Sequence, residues 1–189
     1  MEHVVTILER EGEALEVLLF KLVETKLILA ADEARFLPRA TREVERARAR
    51  AREIDLMRAT TMARFDSPMT LREIAADASG AWPSILRDHH AVLSGLVEEI
   101  GVTAHLNSTV AEQRMSQLRS ERAKSETVAL ANPETGASGS DKTAVTIERT
   151  NTRLIRNGEL DWLARGAALE TVFGTAARLR MPDLVEFLR

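Results

Sequence analysis

The chain has 189 residues, 44% of them hydrophobic but only 4% aromatic, with no tyrosine, no cysteine and a net charge of −3. These figures exclude disulfides, thiolate metal sites and cysteine nucleophiles, and they single out no polyanionic or polycationic partner. A composition dominated by alanine, leucine, arginine and glutamate favours long helices over sheets, which draw on β-branched and aromatic side chains.

The opening Met1-Glu2-His3 carries no basic stretch ahead of an apolar core, so no secretory signal is expected. A first amphipathic helix is predicted from Val4 to Ala31. Leu8, Leu15, Leu22, Leu29 and Phe36 recur every seventh residue, and Leu18 adds a partner row. Such a repeat holds one apolar stripe against neighbouring helices. Glu11, Thr25 and Asp32 interrupt the second row, which suits a bundle better than a strict zipper. The most apolar stretch, Leu15 to Ala31, contains Glu16, Lys21, Glu24 and Lys26, so no stable membrane insertion is expected.

Pro38 disfavours helix at the residue before it, which places a turn over Asp32 to Pro38. A second helix is then predicted from Arg39 to Phe65, with Val44, Ala47, Ala51, Ile54, Met57 and Thr61 as its seam, ending at Asp66-Ser67-Pro68. Thr70-Leu71-Arg72-Glu73 reads as a capping box opening a short helix, Leu71 to Ala78, that stops at Ser79-Gly80. A third long helix begins near Pro83, tolerated in a first turn, and runs to Lys124. Leu86, Leu93 and Ile100 form one row, Leu96, Thr103 and Val110 the other; beyond Gly101 the seam turns polar at Asn107, Arg114 and Gln117. From Ser125 to Gly158 the apolar period disappears and Ala131 to Thr143 has the chemistry of a linker. A last amphipathic stretch carries Trp162, Leu169, Val172, Phe173 and Leu179, and Met181-Pro182 breaks it.

The expected fold is therefore all-α: an antiparallel bundle of three long helices and a short one over residues 1–124, a flexible linker over 125–158, and a C-terminal amphipathic segment over 159–189. The candidate reactive groups do not assemble into catalysis. His89, His90 and His105 lack the i, i+4 spacing that aims two imidazoles at one metal. His90 is followed four residues on by Ser94, where a phosphorelay histidine would have glycine. The arginines between Arg35 and Arg64 spread around their helix, with Glu43, Glu45, Glu53 and Asp55 three or four residues away. They read as a solvated, ion-paired face, and no interleaved aromatics invite a nucleic acid. Gly136 to Thr143 has Asp141 where a phosphate-binding loop needs glycine, and no strand precedes it. Asn132-Pro-Glu-Thr-Gly136 has the form of a sorting motif but lacks the apolar span and basic tail that should follow. Glu98 and Glu99 lie on adjacent faces of a solvated helix. No catalytic residue, metal site or cofactor is assigned.

Three stretches carry a resemblance. Glu16-Val-Leu-Leu-Phe-Lys-Leu-Val-Glu24, Leu27-Ile-Leu-Ala-Ala31 and Arg39-Ala-Thr-Arg-Glu-Val-Glu45 resemble FlgN-type flagellar export chaperones, particularly those of high-GC Gram-positive bacteria; the resemblance spans Val4 to Arg122. It implies long antiparallel helices and a cytoplasmic chaperone. Its partners would be the flagellar hook-associated (junction) proteins, whose C-terminal amphipathic helices it would keep soluble and pass to the export gate. Members often dock on that gate through an aromatic near the C-terminal end, commonly tyrosine, and this chain has no tyrosine. The alternative is a scaffolding coiled-coil protein with no secretion role. The expected partner-binding residues lie on the last bundle helix: Leu93, Leu96, Val97, Ile100 and Val110. The stripe Trp162, Leu169, Val172, Phe173 and Leu179 is expected either to fold back over that groove or to dock on another protein.

Overall fold

A computed structural model describes residues 1–63, 69–131, 141–177 and 182–189, all of the regular structure there being helical. α1 is Glu2–Ala30, α2 Leu37–Met62, α3 Leu71–Asp77, α4 Trp82–Ala131, α5 Asp141–Ala177 and α6 Pro182–Phe187. The all-α expectation holds. Among the described residues no helix is long and apolar enough to cross a membrane.

Local chemistry accounts for the ends. At the end of α1 the Glu33 amide donates to the Ile28 carbonyl and the Asp32 amide to Leu29, with Asp32 at φ 56°. This paired closure needs a left-handed residue, and a short Asx side chain tolerates that conformation better than most. A 3₁₀ turn, Ala34–Phe36, leads into α2, which starts at Leu37 and not at Arg39. Pro38 lies inside the first turn, where its missing N–H would have had no helical acceptor anyway. Phe36, expected on the apolar row of α1, is instead exposed on this turn, with the Arg35 guanidinium 4.7 Å from its ring centre. The Thr70–Glu73 capping box is present in both directions, and Gly80 supplies the positive φ after α3.

One buried and one half-buried ion pair orient α1 and α2. Arg58 meets Glu11 and Lys21 meets Glu43, so low numbers on α1 face high numbers on α2 and the two run in opposite directions. Gly12 sits beside Leu93 and the Leu22 carbonyl accepts from Asn107, so α1 and α4 run the same way. The main core joins Leu8, Leu15, Leu18 and Leu22 of α1 to Val44 and Ile54 of α2, with Leu71 of α3 and Leu86, Leu93 and Ile100 of α4. Leu184, Phe187 and Leu188 at the C-terminus belong to the same core. A second, smaller core joins Leu29 and Leu37 to Ala111 of α4 and Ala168, Leu169 and Val172 of α5. The fourth position beside α1, α2 and α4 is thus filled by α3 and α6 at one end and by α5 at the other.

The linker expected over 125–158 is corrected. α4 continues to Ala131 and α5 begins at Asp141, so helix covers 125–131 and 141–158. The weak apolar period in these stretches concealed helices, because a polar helix can extend from one whose base is packed. The division at residue 124 does not follow a break in packing either, since α5 and α6 supply both cores. The second-helix residues 64 and 65, the Asp66-Ser67-Pro68 stop, the 132–136 sorting-like motif, most of the phosphate-loop-like stretch and Leu179 lie outside the described residues.

Candidate helix-docking site

The residues expected to receive a partner on α4 divide by depth. Leu93 and Ile100 are fully buried in the main core, and Leu96 and Val97 pack against it half-buried. Val110 packs against the second core. These five therefore hold the protein together and do not form one open face. α5 contributes Ala168, Leu169 and Val172 to that second core. Leu169 and Val172, expected as a tail stripe, are buried there, while Trp162 is half-buried and Phe173, at the edge of the same face, stays 39% exposed. Of the expected C-terminal stripe, Leu169 and Val172 pack onto the bundle through the second core.

α5 is seated imperfectly. A half-open pocket of about 70 Å³ lies between it and the α1–α2 corner, lined by Ile28, Ala34, Leu37, Leu118 and Leu169 with Arg114 and Gln117 at its polar side. Further along, α4 and α5 part to leave clefts of about 290 and 460 Å³, with Trp162 and Leu163 in the walls of both. A smaller cavity, about 10 Å³, lies between Thr25, Thr41, Asn107 and Thr175. Of the described side chains of α5, Ala168, Leu169, Val172 and Thr175 are buried, against ten on α1, so α5 buries less against the bundle than a helix of the main core. Its ion pair to the rest of the bundle, Arg165 with Asp32, is long at 3.6 Å and exposed.

The buried polar residues explain the interrupted seam of the first helix. Glu11 is 1% exposed and faces Arg58 on α2. Arg58 Nε donates to Glu11 Oε1 at 3.2 Å, its Nη2 reaches Asp55, and its guanidinium lies 4.1 Å from the Phe187 ring centre. Burial pushes the Glu11 carboxyl above its ordinary range, with Arg58 opposing. Thr25 Oγ1 donates to the Lys21 carbonyl, and Asn107 Nδ2 donates to the Leu22 carbonyl at 2.9 Å while Asn107 Oδ1 has no partner among the described residues. The cavity beside Asn107 is of the size one water occupies. Lys21 bridges Glu24 at 2.9 Å and Glu43 at 2.6 Å; Glu43 is held below the usual carboxylate range by Lys21 first and Arg39 second.

The arginine-rich helix is ion-paired along its own length, as expected, through Arg39–Glu43, Arg48–Glu45 and Arg50–Glu53. It is not uniformly solvated: Arg48 and Arg58 are buried. Sequence reasoning missed these two, although Glu11 on the facing seam was the signal for Arg58. His90 Nε2 lies 2.8 Å from the Leu188 carbonyl, tying α4 to the C-terminus, whereas His89 is half-buried and His105 exposed. Among the described residues no three His, Asp or Glu side chains gather as a metal site.

No protein-family model, curated protein or solved structure matches this chain.

Proposed function

We propose that the protein is a helix-capturing chaperone of the flagellar export type, acting in the cytoplasm without catalysis. In this reading α1, α2 and α4 form the antiparallel receiving bundle, and its client is the C-terminal amphipathic helix of a hook-associated junction protein. The observation that supports it is the seating of α5: an amphipathic helix of the chain itself lies on the apolar surface of α1, α2 and α4, with pockets along its length. A surface that accepts one amphipathic helix loosely can exchange it for another that fits better. The resemblance in Glu16–Glu24 and Arg39–Glu45 names the client class, and the export gate is its second contact.

The test is a fluorescent peptide of a junction-protein C-terminus titrated into the full chain. Val172→Asp, which weakens the grip of α5, raises affinity for this peptide several-fold while the far-ultraviolet spectrum stays helical, because the competing segment is released. In a Trp82→Phe background, Trp162 emission shifts when the peptide displaces α5. Affinity that falls in Val172→Asp with the helicity intact refutes a receiving surface under α5. Self-association with no peptide binding supports the scaffolding alternative.

A further inference from the structure

The outer face of α1 is unlike the solvated back of an ordinary bundle helix. Its inward side, with Leu8, Leu15, Leu18 and Leu22, already completes the core. Directly opposite, Phe20 and Leu27 are 62% and 64% exposed, flanked by Val17 at 53% and Val23 at 37%. The expected pattern for such a face is charged and polar. Apolar side chains three and seven residues apart on a helix back form a continuous stripe, and on a folded chain such patches mark interaction sites.

The rest of the same face is acidic. At 100° per residue, Glu2, Glu9, Glu13 and Glu16 fall within a sector of about 60° that also contains Phe20 and Leu27. All four glutamates are exposed. The face is therefore split along its length into an acidic half toward the N-terminus and an apolar half toward the C-terminus. Lys21 edges the apolar half, 5.2 Å from the Phe20 ring centre, but its charge is taken up by Glu24 and Glu43.

This split decides what can cover it. A second copy laid parallel sets glutamate against glutamate. Laid antiparallel over the apolar half, it carries the acidic half past the end of the other copy's α1, to a turn where Arg35 is already paired with Glu33 and Arg165 with Asp32. The first arrangement crowds carboxylates into a drying interface, which is costly, and the second leaves the acidic half unmatched. An anionic lipid surface or a nucleic acid is repelled by the same glutamates. A helix with apolar residues over one half and Lys or Arg over the other satisfies both parts.

We infer that the outer face of α1 is a docking surface for a basic amphipathic helix of a partner protein, its apolar half against Val17, Phe20, Val23 and Leu27 and its basic half against Glu9, Glu13 and Glu16. The stripe from Glu9 to Leu27 is roughly 27 Å long, so the docked helix has about 18–20 residues. This site is separate from the surface under α5 and stands whether or not that surface receives a client.

The probe is a synthetic helical peptide of about 20 residues with leucines at i, i+3 and i+7 in one half and lysines in the other. Its binding to the full chain is followed by fluorescence anisotropy. The peptide binds, and binding weakens with salt. Phe20→Asp with Leu27→Asp lowers affinity by roughly tenfold or more, and both positions are exposed, so the core is untouched. Glu9→Lys, Glu13→Lys and Glu16→Lys together also weaken it, and a peptide with glutamates in place of lysines regains binding to that triple variant. Val172→Asp does not weaken binding of this probe, which separates the site from the one under α5. Failure to bind, affinity indifferent to both sets of substitutions, or loss of probe binding in Val172→Asp overturns the proposal. So does a wild-type dimer that Phe20→Asp with Leu27→Asp converts to monomer, or binding of the wild type to phosphatidylserine vesicles through this face.

Discussion

Removing Arg58 strands a carboxylate. Glu11 is 1% exposed and Arg58 is its cation, so Arg58→Leu leaves a buried charge uncompensated. The expected cost is about 3–5 kcal/mol by denaturant unfolding, and the double variant Glu11→Leu, Arg58→Leu recovers most of it. The pH dependence tests the same pair. Because burial raises the Glu11 carboxyl in the folded state, the native protein holds that proton more tightly than the unfolded chain. Its contribution favours folding below the ordinary carboxylate value of 4.5 and declines as pH rises through the folded value. Glu11→Gln removes this slope, so the stability of the variant relative to wild type rises with pH across that window. A relative stability that falls with pH contradicts the assignment. Glu73 acts oppositely: its carboxyl is lowered by the Thr70 backbone amide and then the Thr70 hydroxyl, so its support of α3 is present above 4.5 and lost as pH falls through the folded value.

At the scale of elements, α5 is the segment to watch. It lines the 70 Å³ pocket and the 10 Å³ cavity, and clefts lie between it and α4 beside Trp162 and Leu163. Its buried residues include the small Ala168 and Thr175, which fill less of the space than the leucines of α1. Native-state hydrogen exchange should show the amides of α5 from Gly158 to Thr175 opening at lower free energy than those of α1 from Leu8 to Leu22. Equal protection in the two helices argues that α5 is an integral member of the bundle. Leu169→Ala should also cost less than Leu15→Ala, for which roughly 2–5 kcal/mol is expected, because Leu169 already borders a half-open pocket.

For the whole molecule, the C-terminus is a structural member. Leu184, Phe187 and Leu188 enter the main core, Phe187 covers Arg58, and His90 reaches the Leu188 carbonyl. Deleting residues 182–189 uncovers three large apolar side chains' worth of surface and one buried guanidinium. Several kcal/mol of stability should be lost, read as a lower thermal midpoint. Residues 1–124 on their own lack both α5 and α6, so their thermal transition should be broad. A sharp transition at the full-length midpoint shows that the N-terminal helices carry all the cooperativity themselves.

Helix type, most helix starts and the apolar rows of the long helices were determined by the sequence itself, because propensity, capping and period 3.6 are local. Thr70-Leu71-Arg72-Glu73, the seam from Val44 to Ile54, and the row Leu86, Leu93, Ile100 all sit in the structure where their spacing puts them. The stripe of α5 was also legible at Leu169 and Val172. The fate of polar residues on those seams was decided by tertiary structure. Glu11 is buried because Arg58, 47 residues away, lies opposite; Asn107 is buried because the Leu22 carbonyl, 85 residues away, accepts from it. The continuation of α4 to Ala131 and the start of α5 at Asp141 were hidden for a related reason, since a polar helix shows no apolar period of its own. Above all, Leu93 and Ile100 and the pair Phe20 and Leu27 have the same chemistry and the same spacing. Which pair faces the core and which faces water depends on where α2, α3 and the C-terminus pack, and no seven-residue repeat records that.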